Sequence, residues 1–282
     1  MQTASVREPA VAGMFYPGNA RDLAATVDDL LRLSAPTTVS KPVRVMVAPH
    51  AGYTYSGAIA ATAFAALRAH APSRAFIIGP SHVEAFNHTS VFNGRAYRTP
   101  LGDMRVDEEA VKALVSHPGI KTGPSGHVMS GGRGEHAVEV ELPFLQRVAN
   151  SAWIVPIIMG SQSWGACTAL GAAIRDVIDW DHDLIIASSD LSHFYDDARA
   201  RQLDLVFCES LVTMDAAVLH ERLARGECEA CGGGPVAAAL IASEALRTRS
   251  CEVLARGNSG DVSGDRSSVV GYVSAVITGD PV

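Results

Sequence analysis

The chain has 282 residues, enough for one large α/β domain or two small ones, and its 48% hydrophobic and 19% charged content excludes a disordered protein. A formal net charge of −7 excludes the basic footprint that a nucleic-acid partner requires, and the acidity is spread along the chain as solubilising charge. No apolar run approaches the roughly 20 residues that span a bilayer, and residues 1–9 carry a charged pair where a signal peptide would be apolar, so no membrane partner and a cytoplasmic location are expected.

Asn19 caps a helix over 19–31 whose Leu23, Val27, Leu30 and Leu31 form one apolar stripe. The first strand is expected at 43–48, an alanine-rich helix at 57–68 and a second strand at 75–79. Residues 88–106 read as a short strand and turns, with Pro100 as a breaker. A short helix over 107–115 carries acids in its first turn, where the helix dipole favours them. A glycine-rich loop, 123–134, leads into the polar stretch 135–145. A buried strand follows at 153–159, although Pro156 argues against a regular one. A helix over 163–178 precedes a strand at 184–187. Helices follow over about 196–224 and 235–248. Two strand-like runs, 251–256 and 268–278, close the chain at an expected sheet edge, where antiparallel pairing is open to them. Apolar strands alternating with helices indicate an α/β fold, a three-layer αβα arrangement around a mainly parallel central sheet. A single domain over 1–282 is the simpler reading.

Three histidines stand just past strand ends, where open α/β sheets collect their ligands. His50 follows 43–48 and a proline; His82 follows 75–79, a proline and a serine; His193 follows 184–187 and a serine-rich turn. Either of the first two alone reads equally well as a turn-capping residue. Two equivalent placements favour a shared site, and imidazole is both the commonest metal ligand and the natural proton carrier near neutral pH. Asp190 lies three residues before His193, so it would hold that ring's tautomer and raise its basicity, or cap a following helix. His136 lies on the stretch with Glu135, Glu139 and Glu141; if helical, it shares a face with Glu139. His70, His88, His117, His127, His182 and His220 lack comparable context and read as surface or loop residues.

The five cysteines, Cys167, Cys208, Cys228, Cys231 and Cys251, are an odd number and argue against a disulfide framework. Cys228 and Cys231 form a CxxC before a run of three glycines and a helix. A cysteine at a helix N-terminus is expected to have a lowered thiol pKa, and the thiolate is the form that binds metal. With no second CxxC the run does not read as a zinc knuckle, and a thioredoxin-like redox pair stays open although the CxxC follows a helical stretch rather than a strand. Cys231, next to the glycines, is the better ligand candidate. Residues 257–268 contain no phosphate-loop pattern, although Asp261, Asp265 and Arg266 could border a pocket.

Six stretches together resemble the Memo family, whose bacterial and archaeal branch is known as the AmmeMemoRadiSam system protein B. They are Arg7-Glu-Pro-Ala-Val-Ala-Gly-Met-Phe-Tyr-Pro17, Ala48-Pro-His-Ala-Gly-Tyr-Thr-Tyr-Ser-Gly57, Gly79-Pro-Ser-His82, Glu135-His-Ala-Val-Glu-Val-Glu-Leu-Pro-Phe144, Ser188-Ser-Asp-Leu-Ser-His193 and Cys231-Gly. They occur in family order over essentially the whole chain. The resemblance implies the fold and pocket layout of the class III extradiol dioxygenases, which hold a non-haem ferrous ion with two histidines and a glutamate. A cysteine replaces that carboxylate in the Memo family. The implied metal ligands are therefore His50, His82 and Cys231, with Asp190, His193 and His136 lining the pocket; Cys228 receives no role.

Iron(II) or copper is the implied cofactor, with zinc as a further option. The implied activity is that of a metal-dependent, dioxygenase-like oxidoreductase on an unknown small molecule or peptide. In it His193, oriented by Asp190, serves as acid or base, and His136 steadies negative charge on a bound oxygen. Two other expectations remain open: a non-enzymatic module that binds phosphopeptides or other anions in the same pocket, and a zinc-dependent hydrolase whose metal-bound water attacks. A functional link to a radical-SAM homologue is implied by the resemblance alone.

Overall fold

The computed structural model describes residues 5–34, 39, 41–128 and 134–281. In chain order these form β1 (Val6–Arg7), α1 (Ala20–Leu33), β2 (Val43–Ala48), α2 (Tyr53–Ala65), β3 (Arg74–Pro80), β4 (Thr89–Val91), β5 (Ala96–Thr99), β6 (Gly102–Arg105), α3 (Glu108–Val115), β7 (Ile120–Thr122), α4 (Leu142–Val148), β8 (Trp153–Met159), α5 (Trp164–Val177), β9 (Asp183–Ser188), β10 (His193–Tyr195), α6 (Asp197–Thr213), α7 (Ala216–Ala224), α8 (Gly233–Ser243), β11 (Arg247–Asn258), α9 (Gly260–Ser263) and β12 (Val269–Asp280). A 3-10 turn over Glu139–Glu141 leads directly into α4.

The large sheet runs β10-β12-β2-β9-β3-β8-β4-β7, and β11 pairs with β12. Its centre, β2-β9-β3-β8, is parallel. The expectation of a mainly parallel sheet holds in that centre and again where β4 pairs with β7, but β12 and β4 flank the centre in antiparallel register. β2, β3 and β9 are buried at all or nearly all positions, as strands covered on both faces must be. α8 lies against β2, β9 and β3 and packs on α5 and α7, whereas α2 lies against β2 and β12 with α1 and α4 on its other contacts. These two helix groups supply the outer layers of an α/β sandwich.

Several boundaries differ from the sequence reading, each for a local reason. Residues 88–106 hold three strands rather than one: β4 joins the large sheet, while β5 pairs with both β1 and β6 in a separate sheet. Pro100 sits in the turn between β5 and β6. The expected long helix at 196–224 breaks where Met214 adopts a left-handed φ of 55° and Asp215 caps α7. The expected helix at 235–248 ends at Ser243, and its last residues open β11. Of the tail pair, only β11 lies outermost, because β12 bonds β11 on one side and β2 and β10 on the other. Pro156 is tolerated inside β8 because its carbonyl accepts from Phe92 N. Its missing N–H therefore faces the end of β4, and β3 loses no donor.

The N-terminal segment is held by one buried carboxylate. Glu139 is fully buried and accepts from the Arg7 guanidinium, from Ala10 N at 2.7 Å, from Val11 N at 3.0 Å and from Tyr16 OH. Arg7 also donates to the carbonyls of Glu135 and His127. Glu139, expected to share a face with His136 if that stretch were helical, is committed to this cation, while His136 precedes the 3-10 turn. No helix among the described residues is long and apolar enough to cross a membrane. Arg7→Met is expected to destabilise the fold by roughly 3–5 kcal/mol in urea denaturation, because it strands a buried carboxylate, and Arg7→Met with Glu139→Gln to recover part of the loss.

Candidate metal centre

β9 lies between β2 and β3 in the sheet, so the loops after three adjacent strands open side by side. The carboxylate of Asp190, two residues past β9, reaches the loop after β2 and accepts from His50 N at 2.8 Å and Ala51 N at 3.3 Å. The loop after β3 is fixed from the 135–141 segment: Glu135 accepts from His82 N at 2.5 Å and lies 2.9 Å from His82 Nδ1. The start of α8 arrives from the opposite side. Cys231 N donates to Asp190 O at 3.1 Å, and Cys231 Sγ accepts from Asp190 N at 3.3 Å and lies 3.2 Å from His50 Nε2. One ligand atom from each of His50, His82 and Cys231 falls within 4.8 Å of the others.

Gly232 makes this approach feasible. A Cβ at that position would lie 2.7 Å from Ser189 Cβ and closer still to Ser188 O. The backbone of α8 can therefore press against the end of β9 only without a side chain there.

The three groups could serve as donors to a metal ion. His50 is 1% exposed, and burial, followed by the charges of His136, His82 and His193, keeps its pKa well below the usual imidazole value. A neutral ring is the ligating form. On His82, partial burial works against the charge, but the Glu135 hydrogen bond, its charge and that of Asp190 prevail and raise the pKa. Glu135 stays ionised near 2: its burial opposes the charge, but hydrogen bonds from His82 and the charges of His82 and His136 outweigh that. With Nδ1 of His82 engaged by a carboxylate, Nε2 is left for a ligand, as in carboxylate–histidine–metal arrangements. Two imidazole nitrogens and one sulfur suit a borderline or soft transition metal, not magnesium or calcium.

The thiol departs from expectation. Burial, and then the Asp190 charge, push Cys231 well above the usual thiol value. The helix N-terminus does not lower it because its amides are already taken: Gly232 N donates to Ser189 Oγ at 2.9 Å and Gly234 N to Gln162 Oε1 at 2.6 Å. Proton release would accompany metal binding rather than precede it.

The other expected residues surround this group in different roles. The His136 ring stacks on His82 with centroids 4.8 Å apart, and its Nδ1 lies 3.2 Å from Glu135 Oε1. Asp190 makes no hydrogen bond to His193 among the described residues, because its Oδ1 is committed to the His50 turn; the expected Asp190–His193 pair is therefore not formed. Burial raises the Asp190 carboxyl to about 7 against those N–H bonds. His193 lies on β10, where the register slips at Phe194, whose φ is 67°. Such a bulge re-aims neighbouring side chains.

His193 and Cys231 share the wall of a cavity of about 430 Å³ with His220, Gln162, Glu229 and the buried Cys228. His220 and Glu229 carried no signal in the sequence. Asp261, Asp265 and Arg266 do not line it. His127, read as a surface or loop residue, lies in a turn but is fully buried between Tyr97 OH at 2.5 Å and Ser90 O at 3.2 Å. Of the glycine-rich loop, 129–133 lie outside the described residues. Gly232→Ala is expected to cost about 1–3 kcal/mol of stability by overpacking and to part Cys231 from His50, read as loss of bound metal in a still-folded protein.

Residues 7–276 match the family model described as Memo-like protein. A MEMO1 family protein of Methanobrevibacter smithii is 40% identical, over 96% of this chain and 99% of its own length. One from Thermotoga neapolitana is 36% identical, over 97% and 100%. One from Methanopyrus kandleri is 34% identical, over 96% and 98%. Among solved structures, an uncharacterized protein from Escherichia coli K12 shares the fold with a TM-score of 0.52 at 13% identity, covering 84% of this chain and 100% of that one. The chain belongs to the Memo-like protein family.

Proposed function

We propose that this protein is a cytoplasmic oxidoreductase that holds iron(II) or copper on His50, His82 and Cys231 and acts on a small organic molecule in the adjoining cavity. The observation that carries the reading is the convergence of two imidazoles and a thiol within 4.8 Å beside a cavity of about 430 Å³. The class III extradiol-like layout implied by the sequence resemblance is part of the same proposal. When bound, the metal supplies Lewis acidity and redox capacity at positions left open by three protein ligands.

The chain's own groups do the rest. His193, at the cavity wall, has a pKa lowered by burial, against one backbone hydrogen bond, and so is neutral near pH 7. It can take a proton from a substrate hydroxyl. His136 is likewise held below the usual value by burial, opposed by Glu135, and its ring packs the opposite side of the ligand group. Leu191, Leu223 and Ala224 give the cavity an apolar wall.

The lining also speaks to the choice of ligand. Among the described residues no lysine or arginine lines the cavity, Glu229 is its one charged carboxylate, and the first N–H groups of α8 are taken by Ser189 and Gln162. A phosphopeptide would find neither lysine nor arginine among the described lining residues and would face Glu229. A neutral or cationic molecule fits this wall better.

Two measurements test the reading. Anaerobically purified protein is expected to carry iron or copper near stoichiometry, and His50→Ala and Cys231→Ala to lose it. A metal-free wild type would overturn the proposal, and zinc with turnover that consumes no oxygen would replace it with hydrolysis. In titrations, benzylamine is expected to bind better than benzyl alcohol and benzoate worst. Glu229→Gln should weaken the amine up to about fivefold, the size of a partly exposed charge pair.

A further inference from the structure

We infer that Glu141 stands in the core as a neutral carboxylic acid that donates its proton to Ser188 Oγ, and that this arrangement fixes His50 in the tautomer with hydrogen on Nδ1 and a bare Nε2. The use of that bare nitrogen rests on the proposed metal-binding reading; the tautomer itself does not.

The argument is a count of protons around one oxygen. Ser188 Oγ has three close partners: Ala137 O at 2.7 Å, Glu141 Oε1 at 2.8 Å and His50 Nδ1 at 2.8 Å. A serine hydroxyl has one hydrogen and two acceptor lone pairs. The Ala137 carbonyl can only accept, so the single hydroxyl hydrogen goes to it. Both other contacts must then bring their own hydrogens. His50 must donate from Nδ1, and Glu141 must donate from its carboxyl group. Giving the hydroxyl hydrogen to Glu141 or to His50 instead would set the Ala137 carbonyl against a bare oxygen at 2.7 Å in a site where Ser188 is fully buried. Such an unmade contact is costly in the interior.

Two further observations agree. Glu141 is fully buried, and its other oxygen, Oε2, has no hydrogen-bond partner among the described residues. An unpartnered oxygen is far more costly on a carboxylate than on a neutral acid. Burial pushes its pKa well above the carboxylate range; the Ser188 bond opposes this and the Asp190 charge adds to it. Tyr53, its other titratable neighbour, gives its hydroxyl proton to Val140 O.

On the far side of the ring the same tautomer suits the contact with Cys231. A bare Nε2 accepts the Cys231 thiol hydrogen across 3.2 Å. That proton is the one a metal ion would displace.

The test uses the metal-free, full-length protein. Two-bond nitrogen–proton correlations on histidine-labelled protein should show His50 neutral with hydrogen on Nδ1. The infrared spectrum should contain the carbonyl stretch of a buried protonated carboxyl group, lost in Glu141→Gln. That isosteric variant should keep the His50 tautomer, because its amide can still donate to Ser188. Ser188→Ala should free the tautomer and weaken cobalt(II) binding about 10–100-fold, as loss of a ligand's outer partner does. A wild-type His50 with hydrogen on Nε2, or an infrared loss of carboxylate rather than carboxyl bands in Glu141→Gln, would overturn the inference. Unchanged cobalt affinity in Ser188→Ala with the Nδ1–H tautomer present would support the tautomer and count against His50 as a ligand.

Discussion

The ion pair between Arg7 and Glu139 is the constraint on which the site depends. A carboxylate with no solvent exposure survives only if every lone pair finds a donor, and Glu139 draws its donors from Arg7, Ala10, Val11 and Tyr16. That requirement fixes the N-terminal segment against residues 135–141, where Glu135, His136 and Glu141 reside. It also delivers Phe15, whose ring meets His136 edge-on with centroids 4.9 Å apart and whose carbonyl accepts from Tyr53 N at the start of α2. A hydrophobic pair of the same volume would be at least as stabilising but would not dictate which backbone amides face the carboxylate. The ion pair contributes placement more than free energy.

The 135–141 segment carries two acids close to the histidines in opposite charge states. Glu135 is held ionised by the two imidazoles it touches, and Glu141 is held neutral by burial beside a hydroxyl that has no proton to give it. Each acid governs one ring, Glu135 directly at Nδ1 of His82 and Glu141 through Ser188 at Nδ1 of His50. His50 thereby turns Nε2 toward Cys231, and one ligand atom of His82 lies within 4.8 Å of both. The environment alone separates the two roles, as it does wherever paired carboxyls serve different chemistry.

Much of this was legible in the chain itself. β2 and β8 fall where their apolar runs predict them, and β3 and β9 overrun theirs by a residue at each end; His50 and His82 stand just past the runs that become β2 and β3, because strand ends are local features. Cys231 was marked by its glycines and by family resemblance. What could not be read is what comes from afar. Ser188 lies 138 residues from His50, Glu135 lies 53 from His82, and Glu141 lies 47 from Ser188. Periodicity reports only the near neighbours of a residue, so the sequence pairs Asp190 with His193, three positions away, whereas the fold turns it to His50 across the sheet. The small sheet of β1, β5 and β6 escaped for a related reason: a two-residue strand has no period to detect. Likewise His220 and Glu229 become cavity residues only through the packing of α7 and α8.

The insertion of β9 between β2 and β3 has a consequence for how the protein is made. The ribosome delivers the two histidine-bearing strands long before the strand that must separate them, and the cysteine later still; 181 residues divide His50 from Cys231. Such non-local pairing is slow, since distant segments must meet before any contact rewards them. A chain that stops short of Cys231 cannot bring the three groups together, whereas β11 and β12, which follow Cys231, supply none of them.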